Sequence, residues 1–72
     1  MTYTAIIDRG QFDHKDYVRF YLGEFSEVRD ILPPTMKGVY QITAANFRQA
    51  RHKARLMFDS SLCISNGIQN AY

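Results

Sequence analysis

The cationic residues of this 72-residue chain are concentrated in one short segment. Between Phe47 and Phe58 the sequence has no acid, and its cationic or titratable side chains are Arg48, Arg51, His52, Lys53 and Arg55. In a helix, where each residue turns by about 100°, all of these except Lys53 fall on one flank. A strip of this kind can bind the phosphates of a nucleic acid or an acidic patch on another protein.

The other side of the same helix is predicted to be apolar and to pack on a sheet. Its stripe consists of Phe47, Ala50, Ala54, Met57 and Phe58. The two small alanines would let the helix approach the sheet closely. Amphipathic helices normally carry charge on their solvent side, so the basic strip also has a simpler interpretation as a solvated helix face.

A second candidate binding surface is formed by Tyr17, Arg19 and Tyr21, which alternate along a predicted strand. Aromatic side chains beside an arginine stack unpaired bases in some proteins and anchor protein–protein interfaces in others. If the basic helix covers the opposite face of the sheet, this face would be exposed. Ordinary cross-strand pairs on a half-solvated sheet would give the same pattern.

Catalytic and metal chemistry have little support in the sequence. The segment 13–16 has side chains that can ligate a metal, but an Asp-His-Lys-Asp turn is usually only solvated. Cys63 stands alone between apolar neighbours, which is typical of a small buried hydrophobe. A helix-turn-helix with its turn at 38–40 would place Pro33-Pro34 inside the preceding helix. We therefore expect no enzyme, no cofactor and no metal site.

Charge and composition favour one small cytoplasmic domain over residues 1–72. Residues 1–32 have six acids and four bases, whereas residues 33–72 have five bases and one acid, and the net charge is +2. The 46% hydrophobic content and ten aromatic residues are sufficient for a core, although self-association into a homodimer would add burial to so short a chain. The sequence has no apolar run of about 20 residues and no signal-peptide pattern, so we expect no membrane partner.

Residue patterns predict the elements that position these side chains. Four strands are expected at residues 2–8, 17–22, 39–43 and 62–65. A short helix is expected over 27–32, with Ser26 as its N-cap, and a main helix over 46–59, with Asn46 as its N-cap. Residues 17–22 also fit a helix that continues to Leu32, but Gly23 inside it would cost about 1 kcal/mol.

The predicted fold class is α+β in the order β-β-α-β-α-β. We expect a small, mostly antiparallel sheet of four or five strands, with one main C-terminal helix packed on one face. Asn66-Gly67 is typical of a two-residue hairpin turn, so residues 68–72 would supply the fifth strand if they pair back.

The segment from Gly38 to Phe58 carries a resemblance to a known class of proteins. It runs from a strand through residues 42–45 into a helix with the pattern Phe47-x-x-Ala50-x-x-x-Ala54. This unit resembles one that recurs in small bacteriophage-encoded host-modulating proteins, including anti-CRISPRs and inhibitors of host RNA polymerase. The resemblance is architectural, covers residues 38–58 only and transfers no functional residues. It implies stoichiometric binding that blocks or remodels a larger host assembly.

These observations predict a non-enzymatic binding protein, a phage-type inhibitor or modulator that docks on a host protein or protein complex through the basic helix. The alternative is a small nucleic-acid-binding regulator that contacts phosphates with the same helix. Charge reversal of Arg48 and Arg55 should weaken either interaction. A steep loss of affinity for generic DNA with increasing salt would identify the second function.

Overall fold

The computed structural model describes residues 1–10, 15–59 and 61–69. Its elements are β1 (Thr2–Asp8), β2 (Tyr17–Leu22), α1 (Phe25–Val28), β3 (Met36–Thr43), α2 (Phe47–Met57) and β4 (Cys63–Gln69). The predicted α+β class and the order β-β-α-β-α-β are confirmed. The strand interpretation of residues 17–22 is correct, since β2 pairs with both β1 and β4. Burial alternates with a period of two from Tyr17 to Phe20, but Tyr21 is also buried and Leu22 is exposed.

The four strands form one mixed sheet in the order β3-β1-β2-β4. β1 pairs antiparallel with both β2 and β3, whereas β2 pairs parallel with β4. The parallel pair arises because α2 carries the chain from one edge of the sheet to the other, so β4 runs in the direction of β3. The main helix was predicted to be C-terminal. This is wrong, because β4 follows α2 in the chain.

One face of the sheet is covered by α2. The buried residues between them are Tyr3, Ala5, Val18, Phe20, Ile42, Ala44, Ala50 and Ala54. Ala50 and Ala54 are fully buried, which confirms that small residues mediate the close approach of helix and sheet. Phe47 extends the contact, because its ring meets the Phe20 ring edge-on at a centroid distance of 5.1 Å.

The predicted burial of Met57 is wrong, since the residue is 52% exposed. α2 ends at Met57, and the chain then becomes extended at Phe58 (φ −103°, ψ 158°). The Phe58 ring turns onto β3 and meets the Tyr40 ring edge-on at 4.9 Å. The aromatic side chain after the helix thus closes this end of the core, and Met57 remains outside it.

The opposite face of the sheet is covered by α1 and the segment that follows it. Here Ile6, Tyr21 and Val28 are buried, with Leu32, Met36 and Val39 packed around them. Gly23 adopts a left-handed backbone (φ 123°), which allows the chain to leave β2 and turn back at once over the sheet.

The short helix is displaced from its predicted position. α1 begins at Phe25 with Glu24 as its N-cap, so the prediction of Ser26 as the cap of a helix over 27–32 is wrong. Glu24 and Glu27 have the arrangement of a capping box, in which the Glu24 backbone N–H donates to Glu27 Oε1 at 3.1 Å. This bond supports the start of a single turn, and α1 ends at Val28, well before Pro33-Pro34.

The last strand also differs from the prediction, because Asn66-Gly67 does not form a hairpin. β4 is continuous from Cys63 to Gln69, and its register jumps from Val18↔Ile64 to Phe20↔Ile68. Four residues of β4 thus span two of β2, and the excess is absorbed in a bulge at 65–67. The Ser65 hydroxyl accepts from the Gly67 N–H inside it. Residues 70–72 of the proposed fifth strand lie outside the described residues.

Within the described ranges, no helix is both long enough and apolar enough to cross a membrane.

Candidate binding surface on helix α2

Helix α2 is fixed at its start by two side-chain caps. Asn46 Oδ1 accepts from the Gln49 backbone N–H at 2.9 Å, which confirms Asn46 as the N-cap. The Gln49 side chain forms the second cap, because its Oε1 accepts from the Ala45 backbone N–H at 3.2 Å. Since Ala50 and Ala54 hold the inner side of the helix, its rotation relative to the sheet is also set.

The outer side of α2 presents Arg48, His52 and Arg55 to solvent, on the flank that the sequence predicted. The ion pairs of the described residues lie elsewhere, at Arg19–Asp8, Arg29–Asp30 and Lys37–Asp16. No carboxylate in the described part of the chain therefore forms an ion pair with a cation of α2. We call these three residues together with Arg51 the basic strip.

Arg51 and Lys53 differ from the other cations because each is bonded to a strand. Arg51 is half-buried, and its Nε donates to the Ser65 carbonyl oxygen in the β4 bulge at 3.1 Å. Lys53 Nζ donates to the Thr43 carbonyl oxygen at the end of β3. Lys53 thus lies on the far side of the helix, as predicted, and Arg51 forms the inner margin of the basic strip.

A cavity of about 330 Å³ opens between α2 and β4, beside the basic strip. Its lining residues are Arg51, Arg55, Phe58, Asp59, Leu62 and Ile64. The arginines contribute a cationic rim, and Asp59 adds one carboxylate, which accepts from the Ser61 backbone N–H at 2.9 Å. A lining that combines apolar residues with two arginines suits an apolar side chain that is accompanied by an acid.

Sequence reasoning missed this cavity. Leu62 and Ile64 reach the helix only because β4 returns parallel to β2, and that pairing has no local sequence signal. It also missed the exposure of Leu56, which is 76% accessible and lies four residues after His52, one helical turn along the outer side of α2. The basic strip is therefore bordered by apolar groups on both sides.

The second predicted surface is not the exposed platform that the sequence suggested. Tyr17, Arg19 and Tyr21 do share a face of β2, but Tyr21 is only 4% exposed and belongs to the core under Val28. The prediction failed because α1 and the segment after it cover this face.

Tyr17 and Arg19 instead bind the buried carboxylate of Asp8. Asp8 is 3% exposed, and it accepts from the Tyr17 hydroxyl at 3.2 Å. The Arg19 guanidinium lies 3.5 Å from the same carboxylate and 5.0 Å from the centre of the Tyr17 ring. Thr35 Oγ1 donates to the second carboxylate oxygen, which ties the segment after α1 to the sheet. Both predicted binding residues thus have internal partners.

The remaining polar candidates do not converge. Cys63 is exposed, so its predicted burial is wrong, and it stands as a single free thiol. Of the segment 13–16, residues 13 and 14 lie outside the described residues, and Asp16 is paired with Lys37 at 2.7 Å. Among the residues that the structure describes, no three His, Cys, Asp or Glu side chains are grouped closely enough to hold a metal ion.

In comparisons with known proteins, the chain matches no family model, no curated protein and no solved structure.

Proposed function

We propose that this chain is a non-enzymatic binding protein that docks on an acidic, partly apolar surface of a larger protein through the outer side of α2. The observation that carries the proposal is the cavity between α2 and β4, whose lining combines two arginines and one carboxylate with three apolar residues: Arg51, Arg55, Asp59, Phe58, Leu62 and Ile64. An acidic segment with one apolar anchor would fill both parts of this site.

The apolar part favours a protein partner over a nucleic acid. Phosphates need only cations, and a surface specialised for them gains nothing from an exposed leucine. Leu56 is 76% exposed and lies beside the basic strip, one helical turn after His52. Protein interfaces commonly combine such residues with arginine at their centre and polar groups at the rim.

The proposal that the partner belongs to a larger host assembly is based on the resemblance of residues 38–58 to phage-encoded host-modulating proteins. On that basis the partner is a host protein or protein complex in the cytoplasm of a bacterial cell, which the bound chain blocks or remodels. The proposed site is one flank of a single helix. One bound partner molecule would cover it fully, so we expect one partner molecule for each chain.

Charge reversal tests the proposal. The wild-type chain and the double variant Arg48→Glu/Arg55→Glu would each be immobilised and exposed to bacterial lysate, with and without nuclease. We expect one protein to be retained in stoichiometric amount by the wild type, regardless of nuclease, and lost by the variant. Arg29→Glu is the matched control, because Arg29 lies after α1 on the other side of the sheet.

Two results would contradict the proposal. The first is equal retention by the wild type and the double variant, which would place the contact elsewhere. The second is retention that disappears with nuclease, together with wild-type affinity for a generic DNA duplex that falls steeply between roughly 50 and 200 mM salt. That pair of results would identify the nucleic-acid-binding alternative.

A further inference from the structure

Strand β3 forms one edge of the sheet, and its outward hydrogen-bonding groups can be assigned. Met1 and Ala44 exchange both backbone bonds at 2.9 Å, so they form a hydrogen-bonded pair. Because such pairs alternate along an antiparallel ladder, Ile42, Tyr40 and Gly38 point their backbone groups at β1. The backbone groups of Val39, Gln41 and Thr43 must then point away from the sheet.

Most of these outward groups have no partner within the described residues. The exception is the Thr43 carbonyl oxygen, which accepts from Lys53 Nζ. The N–H and C=O groups of Val39 and Gln41 therefore form a short open ladder in the middle of the edge. Lys53 limits this ladder at one end, and the bulge between Gly38 and Met36 limits it at the other.

Charge does not protect this edge in the usual way. Proteins often place lysine on an exposed edge strand, where it prevents pairing with another chain. The lysine of β3 is Lys37, and its ammonium group is drawn across the sheet to Asp16 at 2.7 Å. Residues 38–43 have no charged side chain, so the open ladder is also electrically neutral.

Apolar side chains flank the same edge. A shallow groove of about 650 Å³ is lined by Phe25, Met36, Val39, Tyr40 and Gln41. Phe25 and Tyr40 are both exposed for residues of their size. The other edge of the sheet is different, because β4 has the bulge at 65–67 in its centre, and bulges discourage edge pairing.

We propose that two copies of this chain pair through β3 in antiparallel register, with Tyr40 of one copy opposite Tyr40 of the other. In this register Val39 of each copy is opposite Gln41 of its partner, so all four outward groups on each edge are satisfied. The next register, centred on Gln41, would need the Thr43 carbonyl oxygen that Lys53 already occupies.

A second copy is the fitting occupant because the open ladder is its own complement. The ladder consists of Val39 and Gln41, with Tyr40 between them. A two-fold axis at Tyr40 places Val39 of each copy opposite Gln41 of the other. The two grooves are brought beside the same axis, which would bury Tyr40 of both copies. The net charge is only +2 per chain, and the α2 cation that bonds to this edge, Lys53, does so at the Thr43 carbonyl oxygen, outside the pairing of Val39 with Gln41.

Cross-linking tests the register. Tyr40→Cys in a Cys63→Ser background would place two sulfurs across a non-hydrogen-bonded pair, where Cα atoms lie about 4.5 Å apart, within the range of a disulfide. We expect a covalent dimer under mild oxidation. Thr43→Cys in the same background is the control, because its two copies would be six residues out of register, or roughly 20 Å apart. Equal cross-linking at both positions would overturn the register.

The oligomeric state tests the interface without replacing Tyr40, which packs on Phe58. Sedimentation of the wild-type chain should give twice the monomer mass of 8.4 kDa at high concentration. Gln41→Pro removes only an outward N–H, which an edge strand tolerates, and should yield a folded monomer by circular dichroism. A wild-type chain that stays monomeric at every concentration, or a folded Gln41→Pro chain that stays dimeric, would overturn the proposal.

Discussion

Arg51 Nε donates to the carbonyl oxygen of Ser65, and this bond joins the middle of α2 to the bulge of β4. The contact connects the element that carries the basic strip to an edge strand that is paired on one side only. It also fixes the Arg51 side chain, which lines the cavity between α2 and β4. In the proposed site, Arg51 would therefore combine this structural role with a role in binding the partner.

Arg51→Ala should destabilise the protein by about 1–2 kcal/mol, since it removes a hydrogen bond from a charged, half-buried donor. The measurement is urea unfolding followed by circular dichroism. Arg48→Ala removes an exposed arginine from the same helix, and its free energy of unfolding should stay within about 0.5 kcal/mol of wild type. Equal losses in the two variants would show that the Ser65 contact contributes nothing.

Asp8→Ala should cost about 2–4 kcal/mol of unfolding free energy, because it removes the acceptor that Tyr17, Arg19 and Thr35 share. Because Arg19 is partly exposed, we expect Asp8→Ala to lose less unfolding free energy than the disruption of a fully buried ion pair would. Thr35→Val removes only one of these bonds and should cost about 1 kcal/mol. Denaturant titration of both variants measures the difference, and a loss for Asp8→Ala no larger than that for Thr35→Val would contradict this account.

Lys37→Met should raise the pKa of Asp16 towards the ordinary aspartate value. The hydrogen bond from Lys37 is the main cause that holds the pKa of Asp16 below that value, against a smaller opposing effect of desolvation. A depressed pKa in the folded state stabilises the fold above about pH 4, and this contribution is lost as the pH falls through the lowered pKa. NMR titration of the Asp16 carboxyl carbon checks the shift. Lys53→Met is the control, and an Asp16 pKa that is the same in all three proteins would refute the assignment.

Ala54→Leu should destabilise the protein by about 1–3 kcal/mol, because Ala54 is fully buried where α2 meets the sheet. Leu56→Ala, two residues away on the solvent side, should change the unfolding free energy by less than about 0.5 kcal/mol. The same Leu56→Ala chain should retain less of the partner protein in the lysate experiment. Thermal and urea unfolding provide the first comparison. A large loss of stability in Leu56→Ala would show that this residue packs and is not available for binding.

Local patterns were sufficient to predict several elements of this fold. The β-branched and aromatic residues of β1, the alternation in β2 and the cap at Asn46 each act within a few residues of sequence. The solvent side of α2 could also be predicted, since helical periodicity alone places Arg48, His52 and Arg55 on one flank.

Other features depend on contacts between distant segments and could not be predicted in this way. Asn66-Gly67 has the chemistry of a hairpin turn, but pairing of β4 with β2 outweighs it and leaves a bulge. Tyr21 alternates like an exposed strand residue, yet α1 and the segment after it fold over its face. The cavity beside the basic strip joins residues of α2 to Leu62 and Ile64, which no sequence period relates.

The position of α2 on one face of the sheet affects how tightly the proposed dimer would bind its partner. A two-fold axis between antiparallel edge strands is normal to the sheet, so both copies present α2 towards the same side. A partner with repeated binding sites could then engage two helices at once. The second attachment would be intramolecular, and avidity could exceed the affinity of a single site by about 10²–10⁴-fold without any new contact.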